Sequence, residues 1–368
     1  MHRRYSRRKS RRRTALIAGL MICAAACLII AQRLSDRYDS SGEDSKLLLS
    51  IHSDAYIEMQ PTEWYPLSDE ALEVNNAAVQ DTGNSEKTAS GGAKPYPESW
   101  NTSDETEVIR TTLTGYSGRK FISLDGGGQV VNNTSVLNST LLTESKLPPA
   151  FKISVNEKPQ VLIMHTHTTE SYEPYVRESF DPDFNYRTTD ETKNVTAVGD
   201  AICEKLENAG IAYIHDKTIH DYPSYTGAYE RSAETVKAIL QEYPSIRVVL
   251  DIHRDAIGTS TSITQPVVEI GEKEAAQVMI ISGCDDGTMD MPDYMFNFRF
   301  ACRLQEQMET MYPGLTRPVL FDYRRYNQDL TTGSLLIEVG SHGNTLEQAV
   351  YAGSLFGDAL AQVLLDLH

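Results

Sequence analysis

The stretch His165-Thr-His-Thr-Thr-Glu170 follows directly on the apolar run "VLIM" and sets two imidazoles and a carboxylate close together. Two other apolar runs end the same way: "VVLDIHRD" in His253, Arg254 and Asp255, and "SLLIEVGSH" in Glu338 and His342. His167 and Glu170 form an H-x-x-E pair, and a distant His253 completes a His₂Glu set. That set suits zinc with a fourth position left to water. Zinc brings the pKa of such a water to about 7, and a nearby carboxylate can take its proton and pass it to a leaving amine. Glu338 fits that base, because a carboxylate among Leu335, Leu336, Ile337 and Val339 needs a partner or a job. An ion pair with Arg254 is its competing role.

Each piece also has a plainer reading. H-x-x-E is common by chance, and a His-Arg-Asp triplet at a strand end is often only a hydrogen-bonded cluster. The joint pattern is stronger, since three strand ends would bring the pieces to one crevice. His165 alternates with His167, so the two face opposite ways if the strand persists. His167 is the preferred ligand because it alone has Glu170 three residues on; His165 stands as a substitute ligand or a transition-state contact. Arg254 and His342 are placed to support the ligands or to touch substrate. His215 and His220, in a loop before "DYPSY", read as surface residues.

The elements that must position these groups alternate. "QVLIMH" is a short continuous apolar run, as for a strand buried on both faces. "KNVTAVGDAICEKLENAG" has Val195, Val198, Ile202 and Leu206 at helical spacing and stops at Gly210. Strand-like "IAYIHD", "IRVVLDIHRD", "AAQVMIISG" and "GSLLIEVGS" alternate with helix-like segments, the last of which closes the chain. The pattern predicts an α/β fold with a mainly parallel sheet flanked by helices on both faces, spanning residues 151–368. Residues 106–150 alternate like short strands and read as a small β element, and 32–105 are polar and turn-rich, as in a flexible stalk.

The charge of −17 is unevenly spread: residues 1–13 carry eight basic side chains and no acid, leaving 26 basic against 51 acidic ones. An acidic body argues against nucleic acid, whose phosphates require cations. After Arg13, Thr14 to Ala31 run for 18 residues without a charge, about 27 Å as a helix, matching a bilayer core. The basic flank predicts a cytoplasmic segment 1–13, a single transmembrane anchor over 14–31 and an extracytoplasmic body. A cleaved signal peptide is the alternative, but no convincing small-x-small site follows. Cys203, Cys284 and Cys302 are scattered with no C-x-x-C pair and read as free thiols.

"VLIMHTHTTESY", "TKNVTAVGDAICEKLENAGI", "VVLDIHRDA", "YNQDL" and "LLIEVGSHGNTLEQA" together resemble the stage II sporulation protein P family of endospore-forming bacteria. The match runs from Gln160 to His368, and the basic start with one apolar segment agrees with that layout. The family looks related to zinc-dependent N-acetylmuramoyl-L-alanine amidases. Carried over by motif, the zinc ligands fall on His167, Glu170 and His253 and the catalytic carboxylate on Glu338. In the amidases the ligand Glu opens the first helix, so Asp190 or Glu191 is an alternative to Glu170. The resemblance implies cleavage of the amide joining N-acetylmuramic acid to L-alanine, and of peptide cross-links. It also implies action at the mother-cell membrane during engulfment, facing the intermembrane space, with stage II sporulation proteins D and M as partners. Competing functions are a zinc carboxypeptidase-like cell-wall peptidase, which would trim stem peptides rather than free them, and an inert cell-wall scaffold, which would hold no metal.

Overall fold

The computed structural model describes residues 105–368. The expected cytoplasmic segment, the anchor over 14–31 and almost all of the stalk lie outside the described residues. The elements follow in chain order as β1 (Glu107–Thr111), β2 (Phe121–Ser123), β3 (Gln129–Asn132), α1 (Asn138–Glu144), β4 (Val161–Met164), α2 (Val195–Asn208), β5 (Tyr213–His215) and α3 (Ala228–Glu242). Then come β6 (Val248–Asp255), β7 (Ser262–Ile270), β8 (Lys273–Ala276), β9 (Val278–Gly283), α4 (Tyr294–Met311), β10 (Val319–Asp322), β11 (Ser334–Ser341) and α5 (Leu346–Asp366). None of the described helices is long and apolar enough to cross a membrane.

Eight strands form one sheet in the order β2-β3-β10-β9-β11-β6-β4-β5. Five of its seven neighbouring pairs are parallel; β2–β3 and β9–β11 are antiparallel. The sheet is thus mainly parallel, as expected. Residues 106–150 do not stand apart from it, because β3 runs alongside β10 inside the same sheet. A second sheet, β1-β7-β8, was not legible in the sequence.

Alternation sorts the strand residues onto two faces. Val161, Ile163, Leu250, Ile252, Ile337 and Val339 point into the large core under α2, α4 and α5. Leu162, Met164 and Val249 point the other way, against Val236 of α3. Leu141 of α1 joins the large core too, so helices lie on both faces, four on one and one on the other. On that second face of β6 and β11, Asp251, His253 and Glu338 alternate with the core residues and are themselves buried.

Caps fix where the key helices begin. Asn194 accepts from Thr196 N at the start of α2, and Thr345 and Gln348 form a reciprocal capping box on α5. The three cysteines of the described chain are free and buried.

Candidate metal centre

β4 ends at Met164, and the chain then turns through "HTHTTE" with its threonines as anchors. Thr166 donates from its N and Oγ1 to the Asp251 carboxylate at 2.8 and 2.7 Å. Thr168 Oγ1 donates to the carbonyls of His165 and Thr218, and Thr169 Oγ1 to Asp221 Oδ2 at 2.6 Å. A tight turn, Glu170 N to His167 O at 3.0 Å, brings the two candidate ligands to the same side. Threonine suits each position because it ties the backbone down while its methyl group fills space.

His167, Glu170 and His253 converge, with one ligand-type atom from each lying within 4.8 Å of the others, and all three are buried. His167 Nδ1 is 3.5 Å from Glu170 Oε1, and His253 Nδ1 is 3.4 Å from Glu170 Oε2. The two imidazoles meet edge to face at 5.0 Å. Two imidazole nitrogens and one carboxylate oxygen, so spaced and shielded, are a donor set that fits a divalent metal. Among the described residues no other group of three such side chains gathers in this way.

The surroundings support this set. Asp251 Oδ1 lies 2.8 Å from His253 Nε2, although the ring N–H is not aimed squarely at it. That contact leaves Nδ1 as the free ligand atom, the carboxylate–histidine arrangement common around metals. Glu170 receives Arg254 N at 3.1 Å and Arg187 Nη2 at 3.5 Å, and Arg187 is itself paired with Asp221 at 2.7 Å. Burial pushes the Glu170 carboxyl up, but Arg254 and both histidines outweigh it and hold it well below the usual range. Burial pushes His167 down; for His253 burial does the same, but Asp251 and Glu170 overturn it and raise the ring well above its ordinary value. Asp251, Arg187 and Asp221 were missed in the sequence, because nothing about an isolated Asp or Arg marks it as a support for a ligand.

Glu338 is the parallel-strand register partner of His253 and shares its face. Its Oε2 is buried with no hydrogen-bond partner. Burial, then the charge of Asp255, raise its carboxyl well above the ordinary range. Asp255 is occupied by a buried ion pair to Arg317 at 2.7 Å. Arg254 does not neutralise Glu338; its guanidinium donates to the carbonyls of Ser171 and Tyr186, both at 3.1 Å.

The other candidates fall elsewhere. His165 uses both ring nitrogens, Nδ1 on Ile252 O at 3.0 Å and Nε2 on His215 Nε2 at 2.9 Å, so neither is open to a metal. Asp190 caps its own turn through Thr192 and pairs with exposed Lys193, while half-exposed Glu191 reaches Lys217. Neither joins the His167 cluster. His342 packs on the Tyr186 ring at 4.9 Å with Nδ1 unpartnered. Its ring is held at about 3 by burial and Arg254. His215 and His220, expected at the surface, have side chains only 8% and 3% exposed. Asp200 and Asp216 partner them, and a histidine with such a partner need not stay in water.

A cavity of about 730 Å³ opens beside the triad, with His167, Tyr225, Tyr229, Arg324, Tyr326 and Asn327 in its wall. Tyr225 stacks on His167 at 4.6 Å, and Tyr326 stacks on Tyr229 at 5.1 Å. Tyr326 and Asn327 both adopt left-handed backbone, φ 43° and 56°, which is costly for a tyrosine. Asn327 Nδ2 pins this turn to Tyr229 O and Ser232 Oγ, each at 3.0 Å.

The sequence matches the family model described as "Stage II sporulation protein P (SpoIIP)" over residues 41–361. The chain belongs to this family. It is 32% identical over 234 residues to "Stage II sporulation protein P" of Bacillus subtilis (strain 168), covering 60% of this chain and 54% of that protein. The match thus spans about half the length of the curated relative. Solved structures with some likeness include N-acetylmuramoyl-L-alanine amidase AmiC2 of Nostoc punctiforme, 10% identical, covering 57% of this chain and 98% of that one at TM-score 0.34. The CwlD amidase from Clostridioides difficile, solved in complex with the GerS lipoprotein, is 12% identical over 56% and 99% at TM-score 0.34. At these scores the overlap is loose, and no residue role in this family member passes across it.

Proposed function

We propose that this stage II sporulation protein P family member is a zinc-dependent peptidoglycan hydrolase. Its reaction is cleavage of the amide between N-acetylmuramic acid and L-alanine, with cross-link endopeptidase activity beside it. The observation that carries this reading is the buried His167–Glu170–His253 triad with the unpaired Glu338 carboxylate next to it. Zinc, when bound, supplies Lewis acidity that polarises a carbonyl and acidifies water. The rest falls to the chain. Glu338, its carboxyl raised by burial, is suited to take the proton of the attacking water and deliver it to the departing amine. A C–O bond forms as the C–N bond breaks, and the proton leaves with alanine's nitrogen. Arg254 keeps Glu170 ionised, Asp251 orients His253, and the tyrosine-lined cavity receives the substrate beside His167.

The proposal includes a single-pass anchor over residues 14–31, a body outside the cytoplasm and action during engulfment alongside stage II sporulation proteins D and M. Purified peptidoglycan incubated with the zinc-loaded full chain should release free stem peptides, identified by mass. Trimmed stems on intact glycan would assign a carboxypeptidase instead, and no product with no zinc would leave a binding scaffold.

A further inference from the structure

We propose that His165 is a positioning residue for the metal centre, tying the chain that carries His167 to the strand that carries His253. The inference rests on the zinc reading above. The β4–β6 ladder ends at Met164↔Asp251. Beyond it, the Ile252 carbonyl would face the departing chain without a backbone donor. His165 Nδ1 fills that place at 3.0 Å. One residue further, Thr166 grips the Asp251 carboxylate from the opposite face of the sheet. The two contacts bracket the strand end on either side just before His253, and both come from the two residues preceding His167.

The ring of His165 is itself held. A carbonyl oxygen only accepts, so Nδ1 carries the hydrogen, and Nε2 receives His215 Nε2–H at 2.9 Å. His215 Nδ1, without a hydrogen in a neutral ring that donates from Nε2, lies 3.0 Å from Asp200 Oδ1, whose other oxygen receives Lys217 Nζ at 2.8 Å. Asp200 lies on α2 and His215 at the end of β5, so the cluster brings a helix against two strands. Gly199 marks how tightly it fits. A Cβ there would stand 2.5 Å from His215 Nε2 and 2.9 Å from His165 Nε2. A glycine inside a helix costs about 1 kcal/mol relative to alanine, and here it is required by the two rings against it.

The test is zinc affinity of the full chain in detergent, measured by competition with a fluorescent chelator below each variant's melting temperature. His165→Phe keeps the bulk of the ring and removes the donor; it should weaken zinc binding roughly tenfold or more, as losses around metal ligands do. His165→Asn keeps an N–H near the Nδ1 position and should stay within about threefold of the unmodified chain by the same comparison. Gly199→Ala, which pushes the rings apart, should share the loss. Gly199→Ala leaves both ring side chains intact and covers the case in which His165→Phe does not fold. Equal zinc affinity in the Phe and Gly199→Ala variants overturns the relay, as does an Asn variant no better than Phe. If the unmodified chain itself holds no zinc, the metal reading falls and takes this one with it.

Discussion

Glu338 and His253 face each other across the parallel β11–β6 ladder, as the last residue pair before the register of that ladder shifts. A candidate base and a candidate ligand are thus set by backbone pairing, with no loop between them. Glu338→Gln keeps the shape but cannot accept a proton at neutral pH. Zinc should stay bound while turnover on peptidoglycan falls by roughly two to four orders of magnitude. Glu170→Gln should lose zinc first and activity with it. Metal analysis beside product release separates the two, and the opposite pattern would mean the roles are exchanged.

Asp251 stands behind His253 and also takes two hydrogen bonds from Thr166. Asp251→Asn should weaken zinc affinity by about 10–100-fold, because its amide no longer stabilises the ring's orientation and charge. Chelator competition reads this directly; an unchanged dissociation constant would make Asp251 a purely structural anchor.

Stability of the zinc-stripped chain should report on His342. Its folded value of about 3 lies below the ordinary 6.5. Between those values the unfolded chain binds a proton that the native chain refuses, so this histidine's contribution to stability is lost as pH falls from about 6.5 toward about 3. Denaturation midpoints taken at about pH 7.5 and about pH 5 should therefore draw apart more in the unmodified chain than in His342→Gln. Equal slopes would show that His342 protonates freely in the fold.

A chain starting at residue 105 should melt cooperatively, while one starting at 151 should not. The shorter form lacks β1 to β3 and α1 and uncovers β10. It discards Val130, Val131 and Leu141, all buried, each worth about 1.5–3 kcal/mol. Comparable melting of both forms would reduce residues 105–150 to decoration.

For the proposed orientation, protease added to intact protoplasts should degrade the body and spare only the basic start. Full protection would reverse the topology.

The parts of the fold legible in the sequence were those whose residues repeat. The apolar runs of β4, β6, β9 and β11 and the helical spacing of Val195, Val198, Ile202 and Leu206 mark buried elements by period alone. "AAQVMIISG" read as one strand and is two, because Gln277 breaks the run: its side chain receives Leu113 N and donates to Gly314 O, tying in chain from far away. The β7–β8 hairpin and the antiparallel β9–β11 pairing escaped for the same reason, being set by long-range partners. At the site, His167, Glu170, His253 and Glu338 stood out because such side chains are rare beside apolar runs. Their supports did not: whether Asp251 faces a ring or water depends on which strand lies next to it. The burial of His215 likewise depends on Asp200 coming down from α2.

The three-stranded sheet has a mechanical consequence. β1 is the first strand of the described chain and pairs in parallel with β7 over five residue pairs, Glu107↔Ser262 to Thr111↔Pro266. β7 follows β6, the strand that ends just past His253. Tension directed along the axis of β1 from ahead of Glu107 would load those five pairs in shear, all at once, rather than peel them singly. Under such a pull the small sheet acts as a strain relief, taking force at its own ladder before it can reach the strand end on which His253 sits.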